Sequence, residues 1–100
     1  MQKETTYQCL DPRGDNYDIE IIPLSKRVAD LNKKTVYFVD NGKQDADYLL
    51  KTTLEFMKES YPGAKLVYHP KIKTFHEPES EEWWDGIKNN ADAAVVALGD

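Results

Sequence analysis

One hundred residues, 40% of them hydrophobic and 11% aromatic, are one domain's worth of chain with material for a single modest core. The 13 basic and 18 acidic residues leave a formal charge of -5, which disfavours a phosphate backbone or an anionic membrane surface as partner, so nucleic acid and membrane are both set aside. No run approaches the ~20 apolar residues of a membrane span, Met1 to Thr6 has no signal-peptide character, and the one cysteine, Cys9, fits a reducing compartment, so a cytoplasmic protein is expected.

Residues 1–34 are the least regular part and read as an N-terminal arm packing on the domain. Asp11-Pro12-Arg13-Gly14 has turn chemistry, and Asp18-Ile19-Glu20-Ile21 alternates briefly, enough for a short edge strand, before Pro23 stops it. Val28 and Leu31, three apart between Ser25 and Asn32, suggest one or two helical turns.

From residue 35 to 100 the pattern becomes regular. Thr35-Val36-Tyr37-Phe38-Val39 is a β-branched and aromatic run leaving into Asp40-Asn41-Gly42, a buried strand followed by a tight turn. Asp45 stands as an N-cap, and Leu50, Leu54, Met57 and Tyr61 recur at helical spacing until Pro62-Gly63. Lys65 to His69 is a second strand, with Leu66 and Tyr68 on one face and Val67 on the other. Pro78 suits the first turn of a second helix, Glu79, Glu81 and Glu82 complement its positive end, and Trp83 and Ile87 form an i,i+4 apolar pair. Ala93 to Leu98 is a third strand, apolar throughout. Strand, helix, strand, helix, strand with right-handed crossovers is an α/β fold: an open, three-layer Rossmann-like or flavodoxin-like half whose three-stranded parallel sheet has order 2-1-3, with the 35–39 strand in the middle.

In such sheets ligands bind beyond the carboxyl ends of the strands. Asn41, Gly42 and Lys43 are therefore the candidate substrate-binding residues: Lys43 supplies charge, Gly42 lets backbone approach, and the following helix N-terminus favours an anion. Asp40 is a candidate catalytic carboxylate, able to orient a hydroxyl or accept a proton. The alternative, weighed equally, is that Asp-Asn-Gly is a good turn and Lys43 a solvated side chain. A small anionic ligand is the class of partner this loop suits. Neither G-x-x-x-x-G-K-[ST] nor G-x-G-x-x-G occurs, and no cofactor is implied. His69 and His76, seven apart, lack further ligands at metal-binding spacing, so no metal site is expected. Adjacent Trp83 and Trp84 point ~100° apart on a helix, so at most one faces the sheet. Cys9 has no activating neighbour.

Leu10-Asp11-Pro12 with Gly14, Lys34-Thr35-Val36, Val39 to Lys43 with Ala46-Asp47 and Leu49-Leu50, and Ala91 to Val96 with Gly99-Asp100 follow one another through the chain. In that order they resemble the UGSC family, whose members carry selenocysteine or cysteine followed by Gly-Ser-Cys. Gln44 and Asp45 depart from the proline and asparagine associated with the family there. The resemblance implies that the Gly-Asp pair directly precedes the reactive residue, which makes Asp100 a second candidate catalytic residue. It also accounts for the last residue: selenocysteine is encoded by UGA, otherwise a stop, so the domain is expected to be cut at its C-terminal end. On this reading the chain is the N-terminal portion of a thiol- or selenol-dependent redox or group-transfer protein, inactive by itself. The competing reading is a non-catalytic α/β subunit or binding module that recognises an anionic ligand or partner at residues 40–45. In either case the apolar last strand is an exposed sheet edge, suited to a second copy or a larger partner chain.

Overall fold

The computed structural model describes residues 3–15 and 17–99. Strand β1 (Thr35–Asp40) is followed by helix α1 (Ala46–Ser60), strand β2 (Lys65–Pro70), helix α2 (Glu81–Asn90) and strand β3 (Ala93–Ala97). The three strands form one open sheet of order β2-β1-β3, and both pairings are parallel. Phe38 is level with Tyr68 on one side and Val95 on the other. A β-branched run with no interior charge can be covered on both faces, which is why β1 takes the centre.

The chain leaves β1 toward β2, then returns past β1 to β3. Two right-handed crossovers in opposite directions put α1 and α2 on opposite faces. Side-chain parity agrees. Val36 and Phe38 join Leu50 and Leu54 of α1 and Ala97 in the buried core, with Leu66, Tyr68 and Val95 packed around it. On the other face Tyr37 meets His69, and His69 meets Trp83 of α2, at ring centroid distances of 5.3 and 5.1 Å. Trp84, pointing away, is 46% exposed.

The start of α1 falls where expected and the start of α2 does not. Asp45 does occupy the N-cap of α1, but it has φ 68 and its side chain makes no capping hydrogen bond, because the left-handed backbone turns the carboxylate away from the first-turn amides. Helix α2 begins later than Pro78: Ser80 is the N-cap, its Oγ accepts from the Trp83 amide at 3.2 Å, and Glu81 and Glu82 form the acidic first turn. Pro78 and Glu79 belong to the preceding loop, where Glu79 accepts from the Lys73 amide.

In the arm, neither the edge strand at Asp18 to Ile21 nor the helical turns at Ser25 to Asn32 form. A four-residue alternation has no ladder to join, and one turn of helix does not recover its nucleation cost. Turn chemistry does form at Asp11, which accepts from the Arg13 amide at 3.0 Å and is bidentate with its guanidinium. Every described residue from Lys3 to Asp30 is exposed. The arm joins the domain at Leu31, which packs on the core, and at Lys33, whose amide donates to the Gly63 carbonyl at 2.8 Å. No helix of the described residues is long and apolar enough to cross a membrane.

Candidate functional site

The carboxyl ends of all three strands meet at one edge of the sheet. Asp40, the last residue of β1, is only 6% exposed. Its Oδ1 accepts from the Gly42 amide at 2.8 Å, and its Oδ2 accepts from the Tyr68 hydroxyl. Register explains the second contact. Phe38 is level with Tyr68, so Asp40 and Tyr68 point to the same α1-covered face two positions apart on neighbouring strands, close enough for a long phenol to reach. Burial, with the negative charge of Asp40 beside it, pushes the Tyr68 hydroxyl up to about 12. The Lys51 ammonium lies over the Tyr68 ring, 4.7 Å from its centroid. Tyr68 is the site residue that reading the sequence missed; the only signal was its parity with Leu66 on a strand parallel to β1.

Asn41 ties the first loop to β3. Its amide donates to the Ala97 carbonyl at 2.9 Å, its Nδ2 donates to the Leu98 carbonyl at 2.7 Å, and its Oδ1 accepts from the Lys43 amide at 3.2 Å. Gly42 has φ +86, a backbone that side chains rarely adopt, while a Cβ there would stand an ordinary 3.7 Å from the Phe75 amide nitrogen. The glycine is thus demanded by conformation rather than by space. Lys43 is half-buried, with Nζ 5.3 Å from the centre of the Phe75 ring. Phase-locking between the first and second loops comes from these contacts and from the Lys71 amide, which donates to the Asp40 carbonyl at 2.8 Å. Lys71 Nζ in turn donates to the Thr74 carbonyl at 2.9 Å and organises the 71–77 turn.

Asp40, Asn41, Gly42 and Lys43 therefore lie together, next to Leu98 and Gly99, while Asp100 lies outside the described residues. Both oxygens of Asp40 are engaged within the chain, an arrangement that suits holding the loop in shape. His69 and His76 are not brought together as a pair: His69 sits between Tyr37 and Trp83, and His76 is edge-on to Phe75. Cys9 is exposed in the arm. Two adjoining clefts of about 470 and 490 Å³ open at the opposite, amino edge of the sheet, where Val28 and Leu31 approach Tyr61 and Ala93. They mark the arm junction. The polar groups that converge, with backbone donors, a lysine and a buried carboxylate, are at the carboxyl edge.

The model of the UGSC family matches residues 8–100. No curated protein and no solved structure matches the chain.

Proposed function

The chain belongs to the UGSC family, and from that premise we propose that its sheet is the scaffold of a thiol- or selenol-dependent redox or group-transfer reaction, the reactive selenocysteine or cysteine following Asp100 as in the family's pattern. One observation carries the reading. Asn41 hydrogen-bonds both the Ala97 and the Leu98 carbonyls, so the Asp40–Lys43 loop and the segment that leads to Gly99 are a single hydrogen-bonded unit. A chalcogen entering after that segment arrives at the carboxyl edge that carries Lys43 and the amino end of α1, which has no side-chain cap, surroundings that favour a selenolate or thiolate over its protonated form.

Asn41, Gly42 and Lys43 bind the substrate's polar or anionic group, and Asp40 holds the loop in the binding shape. With a hydroperoxide as oxidant, the selenolate or thiolate attacks the terminal peroxide oxygen and the O–O bond breaks. The departing alkoxide takes a proton and leaves as alcohol, and the chalcogen remains as a selenenic or sulfenic acid. Two equivalents of a small thiol then reduce it, releasing one water and one disulfide.

The test is a thiol-peroxidase and disulfide-reductase assay on the 100-residue chain and on a chain extended through Cys-Gly-Ser-Cys after Asp100. Turnover by the extended chain, lowered by Asn41→Ala and absent from the shorter one, is expected. Equal turnover by the shorter chain carrying Cys9→Ser contradicts the reading. A binding module without chemistry is favoured by one different feature, the Asp45 side chain that leaves the α1 N-terminus without a side-chain cap beside Lys43. Phosphate or carboxylate binding with no turnover in the extended chain selects that alternative.

A further inference from the structure

The amino edge of the sheet carries a lysine in a backbone conformation that does not suit it. The Lys34 amide donates to the Leu31 carbonyl at 3.0 Å, closing a turn whose third residue, Lys33, has φ 66. Glycine takes that conformation at least cost. The turn is held in place without the lysine side chain: the Lys33 amide donates to the Gly63 carbonyl at 2.8 Å, and Asn32 Oδ1 accepts from the Gly63 amide at 3.0 Å. Among the described residues the Lys33 ammonium makes no hydrogen bond or ion pair. A strained position that the fold does not use points to a use outside the fold.

Lys33 lines the cleft of about 490 Å³ at the arm junction, together with Lys34 beside it and Arg27 further up the chain. None of these three cations is in an ion pair among the described residues. The two carboxylates on the cleft already accept from backbone amides, Asp30 from Asn32 at 3.0 Å and Asp92 from Thr35 at 2.9 Å. Three cations against two carboxylates leave the cleft net positive on a chain whose formal charge is -5. The helix ends at this edge do not call for them, because Lys58 and Lys88 already stand in the last turns of α1 and α2. The adjoining cleft of about 470 Å³ shares Arg27 and has an apolar wall of Val28, Leu31 and Tyr61.

We propose that the arm junction binds a small phosphate monoester, its phosphate held by Arg27, Lys33 and Lys34 and its apolar part laid against Val28, Leu31 and Tyr61. The guanidinium fork matches two phosphate oxygens, and the two ammonium groups supply point charge to a dianion. A monocarboxylate would leave part of that charge uncompensated. The arm gains a purpose, since the ligand would tie residues 27–30 to the sheet. This inference stands apart from the redox reading, because it uses no residue of the carboxyl-edge loop.

The probe is phenyl phosphate, titrated into the nitrogen-labelled 100-residue chain and followed at the amides of Lys33, Lys34 and Asp92, which lie at the edge opposite the Asp40–Lys43 loop. Saturable shifts are expected there, with inorganic phosphate binding roughly fivefold more weakly for want of the ring. Arg27→Ala and Lys33→Gly should each raise the dissociation constant roughly tenfold. Lys33→Gly should at the same time raise the melting temperature, since glycine relieves the turn. The proposal is overturned by the absence of saturable shifts at these amides, by a dissociation constant left unmoved by Arg27→Ala or by Lys33→Gly, or by equal binding of inorganic phosphate. A Lys33→Gly chain that melts lower would also overturn it, because the lysine would then be serving the turn.

Discussion

The two faces of the sheet hold the molecule together by different means. Under α1, Val36, Phe38, Leu50, Leu54 and Ala97 form one contiguous buried cluster, ringed by Leu31, Met57, Leu66 and Val95. Under α2 the fully buried positions are Val39 and Ile87, and the rest is a half-buried run of rings, Tyr37, His69 and Trp83. Since burial of apolar area dominates stability, the α1 face holds the fold and the α2 face is the part that can be altered at small cost. The site follows the same division, because its structural anchor, the Asp40–Tyr68 bond, is on the α1 side of the carboxyl edge.

The sharpest way to break that contrast is a matched pair of truncations. Phe38→Ala, at a side chain with no exposure, should cost about 3–5 kcal/mol, much of a small domain's stability. Trp83→Ala removes a larger ring but a half-exposed one and should cost about 1–2 kcal/mol. Urea melts of the two variants decide it; equal losses would mean that the faces are energetically alike.

A smaller effect tests the anchor. Tyr68→Phe removes one of the two partners of buried Asp40 and should cost about 1–2 kcal/mol at neutral pH. The phenol also has a pH signature. Its folded value, about 12, is above the ordinary tyrosine value of about 10, so below pH 10 its contribution is fully present. Between 10 and 12 the unfolded chain loses the proton first, and the contribution disappears as pH rises through that window. Thermal melts should therefore show the native chain losing stability between pH 10 and 12 more steeply than Tyr68→Phe; parallel curves would detach Tyr68 from Asp40.

Smaller still in stability, and larger in binding, are the loop variants. Asn41→Ala and Lys43→Ala should each change stability by no more than about 1 kcal/mol, since both lie in a surface loop, yet each should weaken calorimetric binding of phosphate or a small carboxylate. Unchanged affinity in both would reduce the loop to a turn. The smallest expected effect is Val96→Lys, within about 0.5 kcal/mol, because that side chain already faces solvent on the thin face.

The contrast between the faces was only half visible in the residues. The order of strands and the helical stripe Leu50, Leu54, Met57 follow from periodicity, a local property, and Pro62-Gly63 marks the end of α1 for the same reason. The α2 start was misplaced because Pro78 is permitted in a first turn but Ser80 bonds the Trp83 amide, and a side-chain cap outweighs a permissive ring. In the site, Asp40 to Lys43 were legible as a loop after a strand. Tyr68 and the tie from Asn41 to Leu98 were not, since they join residues 28 and 57 positions apart and depend on a parallel register that no local pattern encodes. The short edge strand was read from the alternation of Asp18 to Ile21; alternation states which face a strand would bury and says nothing about what it pairs with.

Whether the carboxyl edge holds a reactive chalcogen beside the Asp40–Lys43 loop, as proposed, is decided by the acidity of a thiol put there. In a Cys9→Ser chain extended by Cys-Gly-Ser-Ser after Asp100, the rate of iodoacetamide alkylation against pH reports the pKa of the single thiol. A value well below the ordinary ~8.5, raised again by Lys43→Ala, is expected. An ordinary value, unmoved by Lys43→Ala, would contradict it.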